Sequence, residues 1–366
     1  MNVGFIINSR VPQLAALRRG MPAWSLVTGW DDAASPMSFM RFRWIARELT
    51  RRQRGRFEIY KPLARYDAVM FVKSMGVDCL ALAEHLRAGG SGVGFDANVD
   101  YYTDRPATAA GALGSMVAGQ KADAIAMTRF ADGVAASSRH LATICSEFSR
   151  RPAVWIPDNV SDELIPHPFT SWAPGRPLNL WWSGMAAKAA DFLAIAPVLR
   201  KFGSRVKLQL VTQKQGFSER LPLGVRDAVL ALLAEIPHEI HEFRSIGDLL
   251  QRYAQGGLIV SPRFLDTPYN LGHSEWKITL GMAAGLPALC SPVPSYEDVR
   301  ERCVGDGIRV VQSNAGWEES IESVFSGQWE IAAAAEAARS VVRGHYATSV
   351  VADRVDRFLE SLCHPA

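Results

Sequence analysis

The residues best placed to do chemistry lie between Arg263 and Lys277. Arg263, Asp266, Tyr269, Asn270, His273, Ser274, Glu275 and Lys277 follow an apolar strand pattern, Leu258–Ser261, and precede a helix pattern rich in small residues. Ser274 reads as the N-cap of that helix. Lys277 then falls at N3, where a capping box would put Glu or Gln. A cation there opposes the positive end of the helix dipole, at a cost of about 0.3–1 kcal/mol. An anionic ligand would remove that cost, and the free N–H groups of the first turn would bind the same anion. Lys277, those N–H groups and Arg263 therefore suit a diphosphate. A solvated lysine is the plain alternative, and for Lys277 taken alone it is the better one.

Other patterns carry less. Gly90-Ser91-Gly92-Val93-Gly94 hints at a dinucleotide fingerprint, but it precedes a strand, whereas that motif follows one and opens a helix. There is no Walker A sequence and no Gly-x-Ser-x-Gly elbow. His238-Glu239-Ile240-His241 lacks the helical spacing of a zinc motif, so no metal site is expected.

The elements that must position these residues alternate along the chain. Strand patterns at Val3–Ile7, Ala68–Val72, Val93–Asp96, Gly133–Ala135 and Val154–Ile156 are separated by helical ones, including Phe39–Arg52. After the Pro-rich stretch 165–177 the alternation restarts with Leu178–Trp182, Val206–Val211, Glu239–Phe243, Leu258–Ser261, Ala288–Ser291 and Ile308–Val310. Ala189–Phe202 reads as a helix, and the tail from Trp329 to Cys363 is helical with a break near Gly344. This is an α/β pattern of two Rossmann-like, doubly wound parallel-sheet domains facing across a cleft. Residues 1–170 form the first, which is expected to bind the acceptor. Residues 171–345 form the second, and 346–366 make a C-terminal helix that could pack back on the first.

The chain has 366 residues, enough for two such cores. A net charge of +3 gives no reason to expect a nucleic-acid partner. Arg41, Arg43, Arg47, Arg51, Arg52, Arg54 and Arg56 face only Glu48 in sequence. They form either a solvated helix face or a patch for peripheral contact with anionic lipid. Five scattered cysteines and the lack of a signal-peptide pattern suit a cytoplasmic protein.

The segment Asn270, His273-Ser274, Lys277, Gly285-Leu286-Pro287, Ala288–Ser291 and Val293–Glu297 resembles the family 4-like glycosyltransferases of the GT-B fold. Weaker likeness runs through Ser35–Arg43, Tyr66–Val69, Phe95–Tyr101, Ala131–Ser138 and Ile156–Val160. It continues at Trp182-Ser183-Gly184 with Lys188. The resemblance implies transfer of a sugar from a nucleoside-diphosphate sugar to a hydroxyl, with retention and with neither metal nor separate cofactor. Lys277, Lys188 and Arg263 would stabilise the departing diphosphate, and Gly184 would let backbone approach it. Tyr269, Asn270, His273, Ser274 and Glu275 would line the donor site, and Phe243 to Ile246 would cradle the base. On the acceptor side stand Asp96, Arg10, Arg41 and Asp100, the last a catalytic candidate. The acceptor class implied is a glycan or lipid-linked glycan. The sequence departs from the family where a Glu is usual, at Leu280, and where an acid is common, at Gly272. Three consequences stay open: a donor held mainly by diphosphate and base, a deoxyribose nucleotide such as a dTDP-sugar, or lost catalysis. A non-catalytic sugar-nucleotide-binding protein and an epimerase of the same fold are the alternatives.

Overall fold

The computed structural model describes residues 1–7, 27, 36–104, 120–165, 172–173 and 175–363. The first sheet holds β1 (Asn2–Ile7), β2 (Arg56–Ile59), β3 (Ala68–Val72), β4 (Gly92–Ala97), β5 (Gly133–Ala136) and β6 (Val154–Trp155). Its order is β2-β1-β3-β4-β5-β6, and every pair is parallel. The second holds β7 (Leu178–Ser183), β8 (Val206–Thr212), β9 (His238–Glu242), β10 (Leu258–Ser261), β11 (Ala288–Cys290) and β12 (Ile308–Val310). Its order is β12-β11-β10-β7-β8-β9, again all parallel.

Both faces of each sheet are covered, and the central strands are correspondingly apolar, while the edge strands β2 and β9 carry charged and polar residues. Side chains alternate between the two faces. Val69 and Phe71 of β3 enter one core with Val93 and Phe95, while Ala68, Met70 and Val72 enter another. Leu178, Leu180 and Trp182 of β7 go to one side of the second sheet and Trp181 to the other.

The last helix, Thr348–Cys363, lies on the first sheet, burying Val351, Ala352, Phe358, Leu359 and Leu362 over β3, β4 and β5. Glycine makes this approach possible. A Cβ on Gly92 would stand 2.1 Å from the Leu362 carbonyl oxygen, and one on Gly94 would stand 2.7 Å from Leu362 Cδ1. The glycine run that resembled a nucleotide fingerprint is the floor on which this helix rests.

The arginine-rich segment has a structural use as well. Arg51 and Arg52 both pair with Glu48. Arg52 also reaches Asp353, and Arg54 reaches Asp356 and Glu360, all on the last helix. Arg47 meets Glu163 and Arg56 meets Glu58. Local carboxylates thus offset most of the positive charge on which the expectation of lipid contact rested. No helix among the described residues is long and apolar enough to cross a membrane.

The two chain crossings between the sheets run side by side. Val160 donates its N–H to Tyr346 O at 2.8 Å, and Thr348 donates to Val160 O at 2.9 Å. The helix Trp276–Ala283 also touches the first of these crossings: the Trp276 indole N–H donates to Asn159 O at 3.0 Å.

Candidate active site

In each sheet one strand pair marks the reversal of winding, where loops part and ligands bind beyond the carboxyl ends. In the second sheet that pair is β7 and β10. Gly184 and Lys188 follow β7, and Arg263 follows β10. The loop after Arg263 carries a short turn of helix, Pro268–Leu271, and leads into the helix Trp276–Ala283. Lys277 lies in the first turn of that helix. Its N-cap is Glu275, one residue later than the sequence suggested, because Ser274 turns its hydroxyl to Asp158.

Lys277 Nζ is buried and has no hydrogen-bond partner. It lies 4.5 Å from the centre of the Trp182 ring. A Cβ on Gly184 would come within 3.0 Å of that ring and 3.4 Å of Lys277 Nζ, so glycine keeps this corner open. Lys188 is buried too: its Nζ contacts His273 Nε2 at 2.7 Å and lies 4.9 Å from the Tyr269 ring centre. His273 stands edge-on to Tyr269, centroids 4.6 Å apart. Arg263 donates from Nη1 to Asp191 Oδ2 at 2.9 Å, and Asn270 Nδ2 donates to Phe264 O at 2.9 Å. Arg263 Nε and Asn270 Oδ1 are buried without partners.

The electrostatic consequence is direct. Burial, then Arg263 and Lys188, push the Lys277 ammonium well below its ordinary value. Burial, then Arg263, do the same to Lys188, against the pull of Asp191. Burial and the Lys188 charge hold His273 well below its usual range. Three basic side chains thus share one carboxylate, Asp191, in a space shielded from water. Buried charge is stable only when paired, and such perturbed clusters mark functional sites more often than structural ones. Asp191 escaped the sequence reading because it sits among alanines in a segment taken for a helix. That segment is a 3-10 turn, Ala186–Ile195, with α-helix only from Ala196. Pro197, which cannot donate a backbone hydrogen bond, stands at the start of the α-helix.

The remaining site residues fall in three places. Asp100, from the first domain, and Tyr269, from the helix turn Pro268–Leu271 of the second, meet at the border of the two halves. Tyr269 enters the first sheet's apolar core, and a Cβ on Gly272 would strike Asp100 Cβ at 2.6 Å. Asp100 Oδ1 accepts from the N–H groups of Tyr102 and Thr103 at 2.8 and 3.0 Å. Phe243 and Ile246 follow the edge strand β9 and pack on the second core. Arg41 and Asp96 do not face the cleft as free groups. Arg41 donates from Nε and Nη2 to both Asp96 oxygens, at 2.8 and 2.7 Å, and from Nη1 to Asp158 and to Ile156 O. Burial opposes the guanidinium charge, yet Asp96 and Asp158 raise its pKa above the ordinary value. These two acceptor candidates consume each other's hydrogen-bonding capacity. Glu275 borders the same knot. Burial, then Asp158, hold its carboxyl well above the usual range. Arg10 lies outside the described residues.

The departures from the family pattern have a physical account. Leu280 is fully buried in the core beneath the helix, where an ionised carboxylate would be costly. At position 272 the Asp100 backbone leaves no room for a side chain.

No family model matches the sequence, and no curated protein does. Solved structures do match. HepE from Anabaena, crystallised with UDP and glucose, aligns at a TM-score of 0.59 and 14% identity, over 81% of this chain and 78% of its own. Sucrose-phosphate synthase from Thermosynechococcus elongatus aligns at 0.58 and 14%, over 81% and 74%. A glycosyltransferase from Rickettsia africae aligns at 0.57 and 14%, over 92% and 84%. At such identity the likeness is one of architecture, and with the two parallel sheets it shows that this chain has the GT-B fold.

Proposed function

We propose that this chain is a glycosyltransferase that moves a sugar from a nucleoside-diphosphate sugar to a hydroxyl acceptor, in the building of a glycan or glycoconjugate. The observation that carries the reading is the buried Lys277 ammonium, unpartnered beside Lys188 and Arg263 at the carboxyl ends of β7 and β10. The fold supports it, since GT-B relatives such as HepE are crystallised with UDP and UDP-glucose at 13–14% identity. As the bond from the anomeric carbon to the donor's terminal phosphate oxygen breaks, negative charge grows on that phosphate. Preorganised cations in a dry site stabilise this charge without reorganising. Lys277, Lys188 and Arg263 supply the charge that a divalent ion supplies in other transferases, so the reaction we propose needs no metal. Retention is proposed from the family resemblance alone.

Phe243 and Ile246 are the proposed base contacts, and Asn270, with its free Oδ1, a contact to the donor sugar. Hydrolysis and transfer assays with UDP-, GDP- and dTDP-sugars, with and without chelator, test the reading. Turnover that survives chelation and is lost in Lys277→Ala supports it. Turnover unaffected by that substitution would remove the basis for it.

A further inference from the structure

Trp155 ends β6, at the edge of the first sheet, and its indole N–H is buried without a hydrogen-bond partner. Three guanidiniums gather on the same ring. The central carbon of Arg354 lies 4.5 Å from the ring centre, that of Arg302 4.7 Å and that of Arg139 4.8 Å. Attraction to the ring accounts for one cation on each face. With three, at least two share a face and repel. They come from three helices. Arg139 opens the helix Arg139–Ser146 of the first domain, Arg302 closes the helix Pro294–Arg302 of the second, and Arg354 belongs to the last helix. The first two of these helices pack on each other.

The cluster is rich in donors and poor in acceptors. Asp298 is the carboxylate paired with it, and the pairing is loose. Its Oδ1 stands 3.4 Å from Arg139 and 3.6 Å from Arg302, against about 2.7–2.9 Å for a well-made charge-assisted bond. Burial raises the Asp298 carboxyl above its ordinary value, against the pull of Arg139 and Arg302. Burial, then the Arg302 charge, lower the Arg354 guanidinium. Among the described residues the guanidiniums of Arg139 and Arg354 donate no hydrogen bond. Glu301 stands beside Asp298 and Arg357 beside Arg354, so four positive charges face two negative ones. Donors converging with a surplus of positive charge suit a group that only accepts and carries about two negative charges.

We propose that Trp155, Arg139, Arg302 and Arg354 form a second anion site, which binds a phosphate group between the two domains and ties the helix Arg139–Ser146 to the helix Pro294–Arg302. The forked guanidiniums match phosphate oxygens, and the indole N–H supplies a further donor. The site shares no residue with the Lys277 cluster and does not rest on the donor reading.

The test follows thermal unfolding of the full chain as inorganic phosphate is added, with sodium chloride at matched ionic strength as the reference. Phosphate could also enter the Lys277 cluster, so Lys277→Met is titrated beside wild type. Both should show a saturable gain that chloride does not give. Arg354→Met and Arg139→Gln should bind phosphate at least tenfold more weakly. Trp155→Phe, which keeps a ring and loses the N–H, should bind it at least threefold more weakly. Arg139 is half-exposed, so Arg139→Gln carries the test if Arg354→Met folds poorly. A hexose phosphate is run in parallel. Saturation at a tenfold lower concentration than inorganic phosphate, with the same dependence on Arg354, supports the site and makes an esterified phosphate its ligand. Equal or weaker binding with that dependence supports it with the free ion as ligand. A phosphate response that vanishes in Lys277→Met, that is equal in wild type and the three site variants, or that chloride reproduces overturns the proposal. So does a loss of nucleoside-diphosphate affinity in Arg354→Met as large as in Lys277→Met, which would make the cluster part of the donor site.

Discussion

Replacing Lys277 with methionine should move stability and affinity in opposite directions. Methionine keeps most of the aliphatic stem against Trp182 and removes the charge. In the free protein, Nζ is buried with no hydrogen bond, and leaving a buried polar group unpaired costs about 1–3 kcal/mol. Contact with the Trp182 ring at 4.5 Å returns about 0.5–1 kcal/mol. Lys277→Met should therefore stabilise the free protein by about 1–2 kcal/mol. In the complex the same ammonium makes a charge-assisted bond to phosphate worth about 1.5–3 kcal/mol. Its loss should weaken nucleoside-diphosphate binding roughly 10- to 150-fold. Denaturant unfolding of the free variant and calorimetric titration with nucleotide read the two effects separately. A variant that is less stable and binds nucleotide within twofold of wild type would refute the reasoning, because Lys277 would then be a packing residue.

Two further outcomes follow from the same charges. A bound diphosphate raises the lysine pKa values that burial and Arg263 depress, so binding should take up protons wherever Lys277 or Lys188 is partly deprotonated in the free protein. Affinity should then fall as pH rises through those free-state values. Calorimetry in two buffers of different ionisation heat measures the uptake, and its absence at every pH below the ordinary lysine range would count against depressed lysines. Arg41→Met should leave Asp96 and Asp158 buried without their cation and cost about 3–5 kcal/mol of stability. A stable Arg41→Met protein with a changed acceptor KM would instead make Arg41 an acceptor contact.

Much of the architecture was legible in the sequence because parallel strands buried on both faces leave uninterrupted apolar runs. Ala68–Val72, Leu258–Ser261 and Ile308–Val310 are strands with the bounds the sequence suggested. Strand β2 was missed because Arg56 and Glu58 alternate with Phe57 and Ile59 at the sheet edge, and a charged edge strand has no apolar run. The candidate loop stood out in the sequence through the conflict between Lys277 and the helix dipole. Asp191 did not, since its importance lies in what stands opposite it across the fold. The pairing of Arg41 with Asp96 was not legible for the same reason. Each looks free in sequence, and only their pairing at 2.7 Å shows that neither is.

The central claim is that the buried cations beyond β7 and β10 form a diphosphate site. Calorimetric titration of the wild-type chain with UDP, GDP and dTDP tests it most directly. The account predicts that at least one of them binds at one per chain and that its affinity drops in Lys277→Met. Failure of all three to bind wild-type protein would contradict it.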